Sequence, residues 1–257
     1  MSEIIKKYDV TREFLDQFFP SIEQIEKINP EIPYANNIIY HSLIAFGFPA
    51  SGKTTLCNTL AGYARDKYGD KNVNAMFSEK GNLQAILDNF KPKLVNILYT
   101  DNATLAEYDK KTIHDYFMLR NITAKKFGIT QGYILSIIAL HRYFAIPIEF
   151  RSIIDGMILR DVSLNPYDNN VIKKFISNDE LHKLLKELSV DRNKHRKLMN
   201  FSIFVGKTLK GVLCLPPRRE FYFNEPASPM GDIPMWRFED INKVIEEHGG
   251  YHNKEKQ

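Results

Sequence analysis

The chain has 257 residues, which is enough for one large α/β domain or for one domain with a small appendage. Hydrophobic residues make up 44% of it, so a sizeable core can be buried, and 35 Lys and Arg against 31 Asp and Glu give a net charge of +4. That balance permits a nucleic-acid partner without arguing for one, and neither a signal peptide nor a membrane span is expected, because the first residues are charged and the most apolar stretch, 132–150, is short and interrupted by charge.

The two cysteines, Cys57 and Cys214, lie far apart in the sequence. Cys57 falls on a predicted helix and Cys214 in an apolar, strand-like run. Both are expected to be buried thiols rather than members of a disulfide or a metal site, which is typical of a cytoplasmic protein.

Residues 1–37 are expected to form a helical extension ahead of the main domain. Pro20 separates two short predicted helices, and Ser21 with Gln24 three residues later has the pattern of a capping box. The predicted helices are 11–19 and 21–28. Three roles stay open for the extension: a lid, an arm that docks a partner, or helices that cover the edge of the sheet.

The most specific pattern is the segment Gly47 to Thr54, which fits G-x-x-x-x-G-K-[ST], the phosphate-binding P-loop. An apolar run over 38–46 predicts a buried strand before it, and 55–68 predicts a helix after it, which argues against a chance match in a turn. Backbone N–H groups of such a loop converge on phosphate oxygens. The residues expected to bind the nucleotide are Gly47, Pro49, Ala50, Ser51, Gly52, Lys53, Thr54 and Thr55.

The residue types in this loop have physical reasons. Gly47 and Gly52 permit backbone angles and a close approach that a side chain would block. Lys53 can reach the terminal phosphates, and the Thr54 hydroxyl can ligate Mg²⁺. The loop therefore predicts ATP and Mg²⁺ as ligands.

Predicted strands and helices alternate through the rest of the chain, which indicates a three-layer α/β fold around a parallel sheet. The predicted strands are 72–77, 94–101, 134–140 and 156–159, and the predicted helices are 82–89 and 106–126. A charged helical segment over 169–200 and an antiparallel hairpin, 201–205 with 211–215, follow them. The expected domains are the extension 1–37, a nucleotide-binding domain 38–223, and a tail 224–257 with a short helix.

The predicted strand 94–101 ends in Asp101, as the Walker B strand of P-loop proteins does. An Asp at a strand end beside a P-loop can hold Mg²⁺ directly or through water. Many strands end in Asp at a turn, but the position after a good P-loop favours the metal role. Thr54 and Asp101 are therefore the predicted metal ligands.

Hydrolysis also needs a group that orients or deprotonates water. Asn102 follows Asp101, where many P-loop ATPases of the additional-strand type have a catalytic Glu. An amide can orient water but cannot take its proton, so a slow rate or a base elsewhere is expected. Glu79 is the best substitute if its strand lies next to the P-loop strand, and a surface turn residue is the alternative interpretation.

A sensor of the γ-phosphate and a positive charge complete the predicted catalytic set. His141 ends the strand after Asp101, where it can bond to the γ-phosphate or the attacking water, or be a simple strand-end histidine. Arg142 and Arg151 are candidates for an arginine finger or for surface ion pairs, and Arg160 has less claim. The predicted catalytic residues are Lys53, Glu79, Asn102, His141, Arg142 and Arg151.

The second half of the charged helical segment carries a basic cluster. Such a charge run is either a solvated helix face or a contact with DNA or RNA. The residues of the cluster that would contact DNA are Arg192, Lys194, Arg196 and Lys197.

The order of these features resembles a RecA-type motor of the FtsK/HerA kind. The resemblance rests on Gly47–Thr54, on Asp101-Asn102 and on the run 139–155, and it covers roughly residues 38–215. In that superfamily the strand after Walker B ends in a polar sensor and an Arg. Small stand-alone versions from archaeal viruses and plasmids are similar to this chain in length, in the charged helical segment and in the C-terminal hairpin.

The resemblance implies an ATP-driven motor that acts on DNA as a homo-oligomer, a hexamer in this family, in packaging, transfer or replication of a mobile element. Two departures bear on its mechanism, because the sensor is usually Gln where this chain has His141, and Asn102 replaces the Walker B Glu. A nucleotide-dependent switch that acts through a protein partner is the second hypothesis. A small-molecule kinase with the basic cluster as its lid is the third.

Overall fold

The computed structural model describes residues 2–31, 37–47, 51–79, 87–88, 90–101, 118–141, 154–161, 166–191, 201–218, 220 and 222–224. The helices in these ranges are α1 (Ser2–Lys7), α2 (Thr11–Phe18), α3 (Ile22–Glu26), α4 (Lys53–Tyr68), α5 (Leu119–Phe127), α6 (Pro166–Ile176) and α7 (Asp179–Asp191). The strands are β1 (Ile38–Gly47), β2 (Val73–Glu79), β3 (Val95–Asp101), β4 (Gly132–Leu140), β5 (Gly156–Asp161), β6 (Phe201–Gly206) and β7 (Lys210–Cys214).

The seven strands form one sheet in the order β2-β3-β4-β1-β5-β6-β7. The first five are parallel, and β6 and β7 add an antiparallel hairpin at one edge, as predicted. Every residue of β4 is buried, because its continuous apolar sequence packs between two strands and two helical layers. One strand, β4, separates the P-loop strand β1 from the Asp101 strand β3.

Two separate apolar clusters cover the two faces of the sheet, which confirms the predicted three layers. Successive residues of β1 belong to different clusters, with Leu43 and Ala45 on one face and Ile44 and Phe46 on the other. Alternation of this kind follows from the two-residue period of a strand. Side chains of α2, α3 and α4 complete the first cluster, and those of α5, α6 and α7 complete the second.

The N-terminal helices cover the sheet and its hairpin edge. Phe14, Phe18 and Phe19 are fully buried in the cluster that also holds α4. Just before α2, the N–H of Val10 donates to the Val212 carbonyl of β7 at 3.0 Å, and the N–H of Val212 donates to the Tyr8 carbonyl at 2.7 Å. These contacts fit the interpretation of the extension as helices that cover the edge of the sheet. They also block the outer edge of β7 against further pairing.

The predicted capping box and the buried Cys57 agree with the structure, whereas Cys214 is less buried than expected. Ser21 accepts from the N–H of Gln24, and the Gln24 side chain accepts from the N–H of Ser21, so the predicted capping box is present. Both cysteines are free thiols; Cys57 is buried and Cys214 is half-buried. No helix in the described ranges has the length and apolar character needed to cross a bilayer. The division into three domains stays a prediction.

After β7 the described residues lie along α4 in irregular structure, and we call residues 215–218, 220 and 222–224 the C-terminal strap. The N–H of Tyr222 donates to Asn58 of α4 at 2.8 Å, and the N–H of Asn224 donates to the Ala75 carbonyl of β2 at 2.7 Å. A Cβ on Gly62 would lie 2.8 Å from the Tyr222 ring. The glycine in the middle of α4 thus allows the strap to lie against the helix.

The charged segment 169–200 differs from the prediction of continuous helix. Two helices, α6 and α7, are separated by Ser177, which has a φ of 48°, and by Asn178. The Asn178 side chain accepts from the N–H of Leu181 at 3.1 Å and so caps α7. Most of the predicted helix 82–89, the first part of the predicted helix 106–126 and the chain from residue 225 onward lie outside the described residues.

Replacement of Phe18 by alanine tests whether the N-terminal extension shares the main core. Phe18 is fully buried against Phe14 and Phe204, so Phe18→Ala should lower the free energy of unfolding by about 3–5 kcal/mol in urea titrations. Arg12→Ala, in the same helix with a side chain 92% exposed, is the control and should change it by less than about 0.5 kcal/mol. An unchanged urea midpoint for Phe18→Ala would mean that the extension is not part of the core.

Candidate functional site

The P-loop residues that the structure describes lie at the junction of β1 and α4. Gly47 ends β1, and Gly52 precedes the first residue of α4 with a φ of +81°, in the left-handed region. A Cβ on Gly52 would also lie 3.0 Å from Nη2 of Arg160. Both observations confirm the expectation that this position needs glycine. Residues 48–50 lie outside the described part, and with them the predicted ligands Pro49 and Ala50.

Lys53 is buried at the first turn of α4, with only 5% of its surface exposed. Its Nζ donates to the Gly47 carbonyl at 2.8 Å and lies 3.2 Å from Nδ1 of His141. That Nδ1 also lies 3.2 Å from the Gly47 carbonyl. An unprotonated Nδ1 accepts from Lys53, whereas an Nδ1–H donates to Gly47. The structure therefore brings the predicted sensor to the lysine that is expected to hold the terminal phosphates.

The two predicted metal ligands lie side by side. The Thr54 hydroxyl donates to a carboxylate oxygen of Asp101 at 2.7 Å, across the end of β3. The Tyr99 hydroxyl lies 3.2 Å from the same Thr54 oxygen. Because the Thr54 proton is directed at Asp101, the Thr54 oxygen can accept a hydrogen bond from the Tyr99 hydroxyl.

Tyr99 is a site residue that the sequence analysis missed. Burial raises the pKa of its phenol well above the usual value, with Cys57 and Asp101 adding to the effect, so the hydroxyl keeps its proton. The available signal was its position two residues before Asp101, because alternate residues of a strand point to the same face.

The polar groups around Lys53, Thr54 and Asp101 fit a nucleoside triphosphate and Mg²⁺. The Ser51 hydroxyl is buried and has no hydrogen-bond partner among the residues that the structure describes, so it is available to a ligand. Within the same ranges, no group of three or more His, Cys, Asp and Glu side chains could hold a metal. Mg²⁺ needs no such group, because one or two protein oxygens together with phosphates and water usually hold it.

The geometric argument for Glu79 as the base is wrong in its premise. It required the Glu79 strand to lie next to the P-loop strand, but β3 and β4 lie between β2 and β1. The register instead pairs Glu79 with Asp101, so the backbone of Glu79 lies beside that of Asp101 at the same edge of the sheet. The Glu79 side chain lies outside the described part, and its role as a base stays a prediction.

Several other predicted residues also fall outside the described part, and their roles stay predictions. They are Asn102, Arg142, Arg151, Arg192, Lys194, Arg196 and Lys197. Thr55 is described as the third residue of α4, where it is half-buried.

Arg160, which the sequence analysis placed below the other arginines, lies against the P-loop. It comes from β5, the neighbour of β1, and only 2% of its surface is exposed. Its Nε donates to the Ser51 carbonyl at 2.9 Å, and Nη1 donates to the Ser202 hydroxyl of β6 at 3.3 Å. No sequence signal indicates this burial, because an arginine after three apolar residues of a strand usually reaches solvent.

No protein-family model matches the sequence, and no curated protein matches it. Among solved structures, a variant of RuvB from Thermotoga maritima is 15% identical, with a TM-score of 0.37 over 67% of this chain and 52% of that chain. The cytoplasmic domain of the type VII secretion ATPase EccC from Thermomonospora curvata is 10% identical, with a TM-score of 0.38 over 74% and 25%.

The pCW3 conjugation coupling protein TcpA, in its monomer form with ATPγS, is 10% identical, with a TM-score of 0.39 over 81% of this chain and 65% of that chain. The chain thus spans between 25% and 65% of the length of these three chains. Similarities this weak do not bear on function, which therefore rests on the geometry of the site.

A pair of glycine replacements tests the packing of Arg160 against the P-loop. Gly52 and Gly128 both lie in the left-handed region, with φ of +81° and +63°, but a Cβ on Gly128 would meet no atom within 4 Å. Gly128→Ala should lose about 1–2 kcal/mol of unfolding free energy from backbone strain. Gly52→Ala should lose roughly 1 kcal/mol more, because the methyl group also displaces Arg160. Equal losses in urea titrations would contradict the described contact.

Proposed function

We propose that this chain binds ATP with Mg²⁺ and hydrolyses ATP at the carboxyl edge of β1, β3 and β4. The observation that carries the proposal is the convergence, at one sheet edge, of a buried lysine with a histidine and of a hydroxyl with a carboxylate. These pairs are Lys53 with His141 and Thr54 with Asp101. Lys53 and Thr54 come from the P-loop helix, and Asp101 and His141 from the ends of β3 and β4, in the arrangement that the motif predicts for phosphate and metal.

Binding of the phosphates follows from the first turn of α4. The N–H groups at the start of this helix are free of helical partners and favour a negative charge. Lys53 already points to the loop, since its Nζ donates to the Gly47 carbonyl. Exchange of that neutral acceptor for a phosphate oxygen gives a stronger, charge-assisted hydrogen bond.

Thr54 and Asp101 are the residues that would hold Mg²⁺. When bound, the ion would neutralise charge on the phosphates. The Thr54 oxygen has two lone pairs, so it can accept a hydrogen bond from the nearby Tyr99 hydroxyl and still offer a lone pair to a metal ion.

His141, Glu79 and Asn102 are proposed to orient and activate the attacking water. His141 contacts Lys53, which supports its proposed role of bonding to the terminal phosphate or to the attacking water. Glu79 ends β2 in register with Asp101 and is our candidate for the base, with Asn102 orienting the water. Arg142 and Arg151 are proposed as arginine fingers that act on a neighbouring subunit.

We further propose that the ATPase is a cytoplasmic, DNA-associated motor of a virus or mobile element, assembled as a hexamer. The support is the resemblance to FtsK/HerA motors and the basic cluster Arg192–Lys197, which carries the charge that a DNA backbone attracts. A nucleotide-dependent switch that acts through a protein partner is the second candidate. It is favoured by Asn102, because an amide in place of the usual Glu cannot deprotonate water.

Replacement of the P-loop lysine tests nucleotide binding directly. Lys53→Ala removes the buried cation, so the affinity for ATP with Mg²⁺ should fall roughly 100-fold in calorimetric titrations. Lys174→Ala, at an exposed position of α6, is the matched control and should bind ATP as the wild type does. Equal affinities for the wild type and Lys53→Ala would contradict the proposed site.

Turnover measured with and without DNA separates the motor from the switch. The motor hypothesis expects DNA to stimulate phosphate release and ATP to favour a ring of subunits in sizing experiments. Turnover by a monomer that DNA does not change would overturn it and favour the switch. Transfer of phosphate to a metabolite, rather than to water, would favour the kinase.

A further inference from the structure

Arg160 approaches the P-loop from the side of β5 and donates to the backbone of the loop. Its Nε–H points to the Ser51 carbonyl, with the two heavy atoms 2.9 Å apart. This carbonyl belongs to the same peptide unit as the N–H of Gly52. Because a trans peptide is planar, its C=O and N–H point in opposite directions. The guanidinium therefore contacts one end of a peptide whose other end points away from Arg160.

That opposite end is the donor that a P-loop uses for phosphate. A hydrogen bond accepted by a carbonyl polarises its peptide and strengthens the N–H as a donor, and such effects are larger in a low dielectric. Arg160 is buried and ionised, so its field at the peptide is only weakly screened by water.

We propose that Arg160 is a positioning residue of the phosphate site, which fixes the Ser51–Gly52 peptide and strengthens the Gly52 N–H as a donor to ATP. The inference rests on the proposed function of the P-loop. It gives an arginine of β5 a role in binding within its own subunit, separate from any arginine finger of a neighbouring subunit.

The surroundings of Arg160 hold the guanidinium in one orientation. Nη1 donates to the Ser202 hydroxyl on β6, and Nη2 occupies the space next to Gly52 that a Cβ would enter. Three nitrogens in a rigid plane thus meet two different elements. A lysine keeps the charge but lacks this planar fork, so it cannot reproduce the three contacts.

Two replacements test whether the charge and the planar geometry of Arg160 are both needed. Arg160→Lys keeps a cation and Arg160→Gln keeps a donor, and each should weaken the affinity for ATP with Mg²⁺ roughly tenfold in calorimetric titrations. The matched control is Arg65→Gln. Arg65 also donates its Nε–H to a backbone carbonyl at 2.9 Å, that of Tyr222, but at the far end of α4. Its replacement should change the affinity less than about twofold.

A spectroscopic signal distinguishes polarisation of the peptide from support of the fold. In ¹⁵N-labelled protein, the Gly52 amide proton should move upfield in both Arg160 variants before any ATP is added, because its peptide is less polarised. Arg65→Gln should leave this resonance in place. Folded Arg160 variants with wild-type affinity and an unchanged Gly52 resonance would overturn the inference.

A measurement on the wild type covers the case in which the Arg160 variants do not fold. The Arg160 Nε–H resonance should shift when ATP with Mg²⁺ is added, since phosphate bound to the Gly52 N–H strengthens the bond at the Ser51 carbonyl. If the protein binds ATP but this resonance does not shift at saturating ATP, the inference about Arg160 is overturned and the proposed function is not. A wild-type protein that does not bind ATP would overturn the proposed function and this inference with it.

Discussion

The parallel pairing of β1 with β4 is the interaction on which the site depends. The two strands pair continuously from Ile38 with Gly132 to Phe46 with Leu140, so they end at the same level. Gly47 follows Phe46 and His141 follows Leu140, so the two residues meet at the carboxyl edge of the sheet. Lys53 contacts both of them there. A slip of one residue would turn every side chain of a strand to the other face and would separate these groups.

Burial strengthens the electrostatic interactions of the polar side chains at the site, and it also raises the free-energy cost of any charge that lacks a hydrogen bond. Lys53, Arg160 and Tyr99 are enclosed by the apolar layers on one face of the sheet, where charges interact more strongly than in water. The same enclosure penalises a charge that lacks hydrogen bonds. The site meets this constraint in its described form because Lys53 and Arg160 donate to backbone carbonyls of the P-loop itself. The loop is thus held by cations from both sides.

The sequence predicted the elements that are defined by local patterns. The strand before the P-loop, the strand that ends in Asp101 and the buried β4 are apolar runs with clear ends, and the pairing of Thr54 with Asp101 follows from those ends. The place of β2 in the sheet could not be predicted, because periodicity does not encode strand order. Arg160 was underestimated for a related reason: its burial depends on a loop and a hairpin strand that are remote in sequence.

The central claim is that the buried cation and the hydroxyl–carboxylate pair form one site for ATP and Mg²⁺. A structure determined with a non-hydrolysable ATP analogue and Mg²⁺ tests this claim most directly. We expect Nζ of Lys53 to leave the Gly47 carbonyl and contact the terminal phosphates, with Mg²⁺ beside the oxygens of Thr54 and Asp101. The analogue bound elsewhere, with Lys53 still on Gly47 and Thr54 still on Asp101, would contradict the account.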